Sequence, residues 1–311
     1  MAASLDGAGF VSGKQWLEPV LAAERAGIDF VTLEDSHRPA PGPTARLDAI
    51  MVAAWLASRT RSIGLVPAAA TTLSEPFLLS TQIATLDFAS RGRAGWLAEV
   101  PDLPGDGGYV GPRSLARGAA AFVEAAEHVE TVRRLWDSWE DDAEIREATS
   151  HRFIDRGRIH HIDFEGEHLS VKGPSITPRP PQGQPPVLVR VADRVEPELA
   201  LAWAAADIVL AAPEVAADTV REAVAASGRD PESVRVLLDF DRSPASERLR
   251  ELVDAGAYDG VRLLAAEPAR LAELVAALRD GDDTPSAPTL RARLGFERPP
   301  NRYAAISGAT A

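Results

Sequence analysis

The sequence predicts a single (β/α)8 barrel, and two regularities of the 311-residue chain support this prediction. Short runs of β-branched residues alternate with longer stretches whose apolar residues recur at helical spacing, which is typical of parallel βα units. Eight such units follow one another, and eight is the number that closes a parallel sheet into a barrel. The predicted strands are residues 2–6, 29–33, 62–66, 94–100, 186–191, 207–210, 234–238 and 260–264.

Helical periodicity follows each predicted strand. Gly27 comes directly after the first helical stretch and fits a helix C-cap, because glycine readily adopts the left-handed conformation that ends a helix. Each of the last four strands is also followed by a stretch of helical period. In the first half of the chain the predicted helices cover residues 14–26, 46–58, 75–88 and 114–138.

Two segments interrupt this order. Residues 140–184 are polar and then rich in proline and glycine, and the alternating piece 162–171 predicts a hairpin that turns at Glu165 and Gly166. We interpret the segment as an insertion between units four and five. The tail, about residues 281–311, has little periodicity and is expected to pack across the barrel. The whole chain, residues 1–311, therefore predicts one domain.

Composition excludes several classes of function. The chain has no cysteine, which excludes disulfides, thiolate nucleophiles and iron–sulfur clusters. Its formal net charge of -13 repels nucleic acid and anionic membrane surfaces. Neither a basic-plus-apolar leader nor a long apolar run is present, so a cytoplasmic protein outside the membrane is expected.

Familiar catalytic motifs are absent. The sequence has no Gly-x-Gly-x-x-Gly after a strand, no P-loop, no Gly-x-Ser-x-Gly and no His-Glu-x-x-His. An unrelated barrel hydrolase stays open as an alternative, for which Asp35 and Glu99 could supply two carboxylates. His160 and His161 lie near other polar residues, but neighbours in a strand face opposite sides, and we predict no metal site.

Barrels place their active sites at the carboxyl ends of the strands, where the βα loops meet. His37 is the histidine nearest this predicted mouth and the best candidate for proton transfer, with Asp35 beside it as a candidate acid or base. Ala69, Trp96 and Phe122, among others, give a mostly apolar mouth, which favours a nonpolar substrate or an empty pocket.

Ordered stretches from about residue 4 to residue 304 resemble the bacterial-luciferase-like, flavin-dependent monooxygenases, in the branch that oxidises nitrilotriacetate, alkanes and sulfur compounds. The stretches include Leu5-Asp6-Gly7-Ala8-Gly9, Ile63-Gly64-Leu65-Val66-Pro67, Ser90-Arg91-Gly92-Arg93-Ala94-Gly95-Trp96, Val132-Arg133-Arg134-Leu135-Trp136-Asp137-Ser138-Trp139 and Arg298-Pro299-Pro300-Asn301-Arg302-Tyr303-Ala304.

The resemblance implies reduced FMN across the mouth, supplied by a separate flavin reductase, with dioxygen reacting at the flavin and a small organic molecule as substrate. It also implies a homodimer that meets through helices two and three. The cofactor would contact residues that match the family positions. These are Asp35, Ser36, Ala69, Thr72, Trp96, Phe122, Ala192, Asp193 and Arg194.

Three of the matching positions differ from the family pattern. Leu73 stands where the family usually has a histidine, and Ala121 and Phe122 replace an Arg-Tyr pair that reaches the flavin. After strand five, Asp193 and nearby Glu196 would repel a phosphate, which leaves Arg194 to compensate. Two alternatives therefore stay open: the deazaflavin cofactor F420, or a flavin-free pseudoenzyme barrel that acts as a binding or regulatory protein.

Overall fold

The computed structural model describes residues 1–7, 9–36, 45–101, 116–192, 195–240, 257–264 and 287–304. The strands are β1 (Ala2–Asp6), β2 (Phe30–Glu34), β3 (Gly64–Ala70), β4 (Trp96–Glu99), β5 (Glu144–Glu147), β6 (Arg152–Ile154), β7 (Phe164–Glu165), β8 (Ser170–Val171), β9 (Val187–Val191), β10 (Ile208–Ala211), β11 (Arg235–Phe240) and β12 (Gly260–Leu263). Eight of them are parallel and close into a barrel in the order β1-β12-β11-β10-β9-β4-β3-β2, which confirms the predicted fold class.

Helices surround the barrel. Asp48 begins the second one, because its side chain accepts a hydrogen bond from the Met51 backbone N–H at 2.8 Å. This cap places the helix start at Ala49, three residues later than predicted. The helices are α1 (Gly13–Arg25), α2 (Ala49–Ala57), α3 (Pro76–Ser90), α4 (Ala119–Asp137), α5 (Val195–Ala205), α6 (Ala217–Ala226) and α7 (Leu290–Arg293), with short 3-10 turns at Arg156–Arg158 and Pro231–Ser233.

The third strand is longer than its sequence suggests. We predict its end at residue 66, because Pro67 and three alanines are poor strand formers. The strand nevertheless continues to Ala70, since Ala68, Ala69 and Ala70 pair with residues 97–99 of β4. Ala69 is therefore a strand residue, and the predicted end of this strand was wrong.

The polar segment between α4 and β9 forms two small antiparallel sheets. β5 pairs with β6, and β7 pairs with β8. In the second pair the Gly166 N–H donates to the Leu169 carbonyl at 2.9 Å, so the hairpin turns after Gly166 and later than predicted. The β5–β6 pair was not predicted.

The amino-terminal end of the barrel is filled by apolar side chains. Phe30, Val66, Leu188 and others form one buried cluster, and Leu290 of α7 belongs to it. Arg291, the next residue of α7, bonds Asp207 at 3.0 Å. The tail residues 287–304 thus close this end of the barrel. Among the described residues, no helix combines the length and apolar character that a membrane crossing requires.

Candidate active site at the barrel mouth

Charged side chains cross the barrel interior towards its carboxyl end. Glu34 ends β2 and bonds Arg190 of β9 at 2.9 Å. β2 and β9 are not neighbours in the barrel order, so this bond runs through the interior. The same holds for Arg262 of β12, whose guanidinium reaches Glu34 at 2.9 Å. We call Glu34, Glu99, Arg190, Asp239 and Arg262 the interior network.

Each guanidinium of the interior network has several partners. Arg262 donates to both carboxylate oxygens of Asp239, with 2.7 Å to Oδ1, and to the Thr32 hydroxyl at 2.9 Å. Arg190 lies 3.3 Å from a Glu99 carboxylate oxygen and 3.9 Å from Asp239. Three carboxylates therefore surround two guanidinium groups, which leaves one net negative charge.

Exposure rises along the network from the interior to the mouth. The Arg262 side chain is 0% exposed, that of Glu99 is 29% exposed and that of Arg190 is 34% exposed. Arg262 thus lies at the bottom, while Glu99 and Arg190 form the solvent-facing floor of the mouth. Within the interior network, these two side chains are the ones that a ligand in the mouth would reach first.

The network keeps Glu34 ionised. Burial by itself raises the pKa of Glu34, but the charges of Arg190 and Arg262 and a 2.7 Å hydrogen bond from the Ser4 hydroxyl lower that pKa to about 2. Burial likewise lowers the pKa of Arg190, and the three nearby carboxylates raise it above its ordinary value. Glu34 therefore accepts hydrogen bonds at neutral pH and is not a general acid there.

At the β2 edge of the mouth, Asp35 organises the backbone. One of its carboxylate oxygens accepts from the Ser36 N–H at 2.7 Å and the other from the Ala49 N–H at 2.9 Å. Asp35 thereby ties the end of β2 to the start of α2. Ser36 is exposed and Thr72 is buried. The predicted roles of these three residues towards a cofactor stay predictions.

Three of the proposed contacts lie outside the described residues. They are the candidate proton donor His37 and the two residues Asp193 and Arg194 after β9. Their roles stay predictions from the sequence.

Ala69, Trp96 and Phe122 do not form a wall of the interior. All three belong to a buried cluster between the sheet and helices α3 and α4. The Trp96 indole N–H donates to the Ala69 carbonyl at 3.2 Å, and its ring lies 6.1 Å from that of His128 on α4. The predicted apolar wall was wrong for these residues: Ala69 and Trp96 point outwards from the sheet, Phe122 packs against the outside of the sheet from α4, and the inward positions of β4 are Leu97 and Glu99.

A carboxylate also occupies the edge of the barrel after β9. The Ala192 backbone N–H donates to the Glu198 carboxylate at 2.6 Å. Glu198 is buried and lies in the first turn of α5, where the partial positive charge of a helix start stabilises an anion. This backbone donor is therefore engaged by the chain's own anion.

Sequence reasoning missed Arg190, Asp239 and Arg262. Each has apolar neighbours on both sides within its strand, as in Val187-Leu188-Val189-Arg190-Val191. A lone charge inside such a strand is unfavourable unless it is paired, and this signal could have indicated an interior ion network.

A family model described as a luciferase-like monooxygenase matches residues 6–263. The chain belongs to the luciferase-like monooxygenase family. Within this family, the chain is 35% identical over 226 residues to N-acetyl-S-(2-succino)cysteine monooxygenase of Bacillus subtilis (strain 168). The matched region covers 69% of the chain and 51% of that protein. The chain thus spans about half the length of this relative.

Two further comparisons cover more of both chains. A component of the pristinamycin IIA synthase of Streptomyces pristinaespiralis is 34% identical over 92% of the chain and 90% of its own length. The crystal structure of a long-chain alkane monooxygenase superposes with a TM-score of 0.84 over 98% of both chains, at 16% identity. The structural likeness shows the shared barrel fold.

Proposed function

We propose that this luciferase-like protein is the oxygenating component of a flavin-dependent monooxygenase that acts on a small organic molecule. A separate flavin reductase would supply reduced FMN. The observation that carries the proposal is the family match, because it extends over β2 to β12 and includes every residue of the interior network. When bound, reduced FMN would supply the chemistry that activates dioxygen.

The described residues fit this cofactor in part. The interior network gives the mouth a fixed floor, and Asp35 and Ser36 offer polar groups at the β2 edge. Among the described residues at the edge after β9, Glu198 holds the Ala192 N–H and would repel a phosphate dianion at that donor. We therefore derive no step of the reaction through the flavin.

We also propose that the protein self-associates through α2 and α3. Met51 on α2 and Leu78 and Phe88 on α3 are exposed, although each is large and apolar. A cavity of about 380 Å³ lies beside α2, lined by Trp55 and Leu47 among others. Exposed apolar surface of this kind is typical of an interface between protein chains.

A second candidate function is that of a flavin-free barrel that binds or regulates a partner. The observation that favours it is the Glu198 carboxylate at the edge after β9. The Streptomyces relative is named as one part of a synthase with more than one kind of chain, which supports an assembly with another protein.

An anaerobic titration separates the two candidates. Reduced FMN is added to the wild type, to Glu198→Gln and to Glu196→Gln, and binding is followed by calorimetry, with a parallel titration by reduced F420. Glu196 is an exposed acid in the same first turn of α5, and because solvent screens its repulsion of a phosphate, Glu196→Gln is the matched control with a smaller expected effect. Removing the buried charge should tighten FMN binding by Glu198→Gln about tenfold.

Saturable binding of reduced FMN to the wild type at micromolar concentration supports the oxygenating component. Binding of F420 in its place would identify a deazaflavin enzyme. Binding to Glu198→Gln and to neither the wild type nor the control would support the flavin-free barrel. If none of the three proteins binds either cofactor at millimolar concentration, the oxygenase proposal is wrong.

A further inference from the structure

We propose that Glu99 is a specificity-determining residue: it engages Arg190 at the floor of the mouth, so that the barrel takes an uncharged organic substrate and rejects carboxylates. The inference rests on the proposed function only in that the substrate is bound at the mouth. Arg190 is a one-third-exposed guanidinium at that floor, and within the described interior network it is the cation that an anionic substrate could reach.

Arg190 is surrounded by carboxylates. Glu34 lies 2.9 Å from one terminal nitrogen, Glu99 lies 3.3 Å from the other, and Asp239 lies 3.9 Å from Nε. An incoming carboxylate would have to displace one of these groups or approach all three against their repulsion. Glu99 is the most exposed of the three, so its position is the one that the substrate would contend for.

Two other described arginines near these carboxylates, Arg262 and Arg46, have partners as well. Arg262 is completely buried between Asp239 and Glu34. Arg46, at the β1–β2 edge, bonds Asp6 at 2.8 Å and the Glu34 carbonyl at 3.1 Å. Neither guanidinium is available to an anion without the loss of an existing ion pair.

A matched pair of probes tests the inference without a flavin. The Kd values of hexan-1-ol and hexanoate are measured by ligand-observed NMR on the wild type, Glu99→Gln, Glu75→Gln and the double variant Glu99→Gln/Arg190→Gln. Glu75 is the exposed residue between β3 and α3 and has no ion pair with a described arginine, so Glu75→Gln removes one negative charge from the same end of the barrel without freeing a guanidinium.

The wild type should bind hexanol at least tenfold more tightly than hexanoate. Glu99→Gln should reduce that ratio at least fivefold, Glu75→Gln should leave it within twofold, and the double variant should restore it. The inference is overturned by equal binding of the two probes to the wild type, by an unchanged ratio in Glu99→Gln, or by no saturable binding of either probe. Because no flavin is present, failure of the oxygenase proposal would not change these results.

Discussion

Glu34 connects three strands through a single side chain. Its carboxylate accepts from Ser4 on β1, Arg190 on β9 and Arg262 on β12. A buried ion pair contributes little net stability by itself, but removing Glu34 leaves Arg262 with Asp239 as its remaining described carboxylate and takes one of three carboxylates from Arg190. The barrel interior therefore depends on Glu34 more than its position at a strand end suggests.

Replacing Glu34 by glutamine should lower the free energy of unfolding by about 2 kcal/mol at pH 7, because the buried Arg262 and the one-third-exposed Arg190 each lose one of their carboxylate partners. The folded-state pKa of about 2 lies below the ordinary value, so this contribution is present above about pH 4.5 and is lost as pH falls towards 2. Urea unfolding at pH 7 and pH 3 measures the difference between the two proteins.

The difference should shrink at pH 3, where the Glu34 carboxylate of the unfolded wild type is mostly protonated. Asp218→Asn is the control, since the Asp218 side chain is 88% exposed and its loss should cost little at either pH. A Glu34→Gln protein as stable as the wild type at pH 7 would contradict this expectation.

Among the elements, the short helix α7 has an effect out of proportion to its four residues. It begins at Thr289, whose hydroxyl caps the Ala292 N–H, and it presents Leu290 to the closed end of the barrel. Gly64 allows this approach, because a Cβ there would lie 2.8 Å from a Leu290 methyl carbon and 2.7 Å from Phe30 Cβ. The glycine in β3 and the leucine in the tail therefore depend on each other.

Leu290→Ala should destabilise the protein by about 2–5 kcal/mol, since it opens a cavity among fully buried neighbours. Leu78→Ala on α3 is the control, and its effect should stay within about 0.5 kcal/mol, because Leu78 is 54% exposed in the monomer. Chemical denaturation at low protein concentration measures both. Equal losses in the two variants would show that α7 does not seal the barrel.

On the scale of the whole molecule, charge and apolar surface are distributed differently. The net charge of -13 opposes nonspecific association, while α2 and α3 expose large apolar side chains. A specific contact through these helices would cover that surface. The mouth, at the carboxyl ends of the strands, would stay open to ligands.

Met51→Glu should therefore shift the protein from dimer to monomer. Met51 is 53% exposed on α2, and a carboxylate at the centre of an apolar interface would be desolvated without a partner. Light scattering after size exclusion measures the mass. Phe153→Glu is the control, because Phe153 is similarly exposed but lies on β6 in the inserted segment. A wild-type monomer at micromolar concentration would remove the proposed interface.

The fold class and the positions of all eight barrel strands could be predicted from the sequence, because βα alternation is a local pattern. The sequence also determined the family, since ordered motifs along the chain carry the resemblance. Its errors were local: the end of β3 at Ala70 is set by pairing with β4, which overrides the low strand propensity of alanine.

The contacts between residues inside the barrel could be identified only from the tertiary structure. Glu34 and Arg190 are 156 positions apart, and Glu34 and Arg262 are 228 apart. Strands of a parallel barrel are buried on both faces, so alternation of apolar and polar residues does not mark the inward side. For that reason Trp96 could be read as a wall of the mouth when it packs against α4, and Arg190 could pass as one charge in an apolar strand. Closure of the sheet fixes the inward side of every strand at once, and with it the interior network.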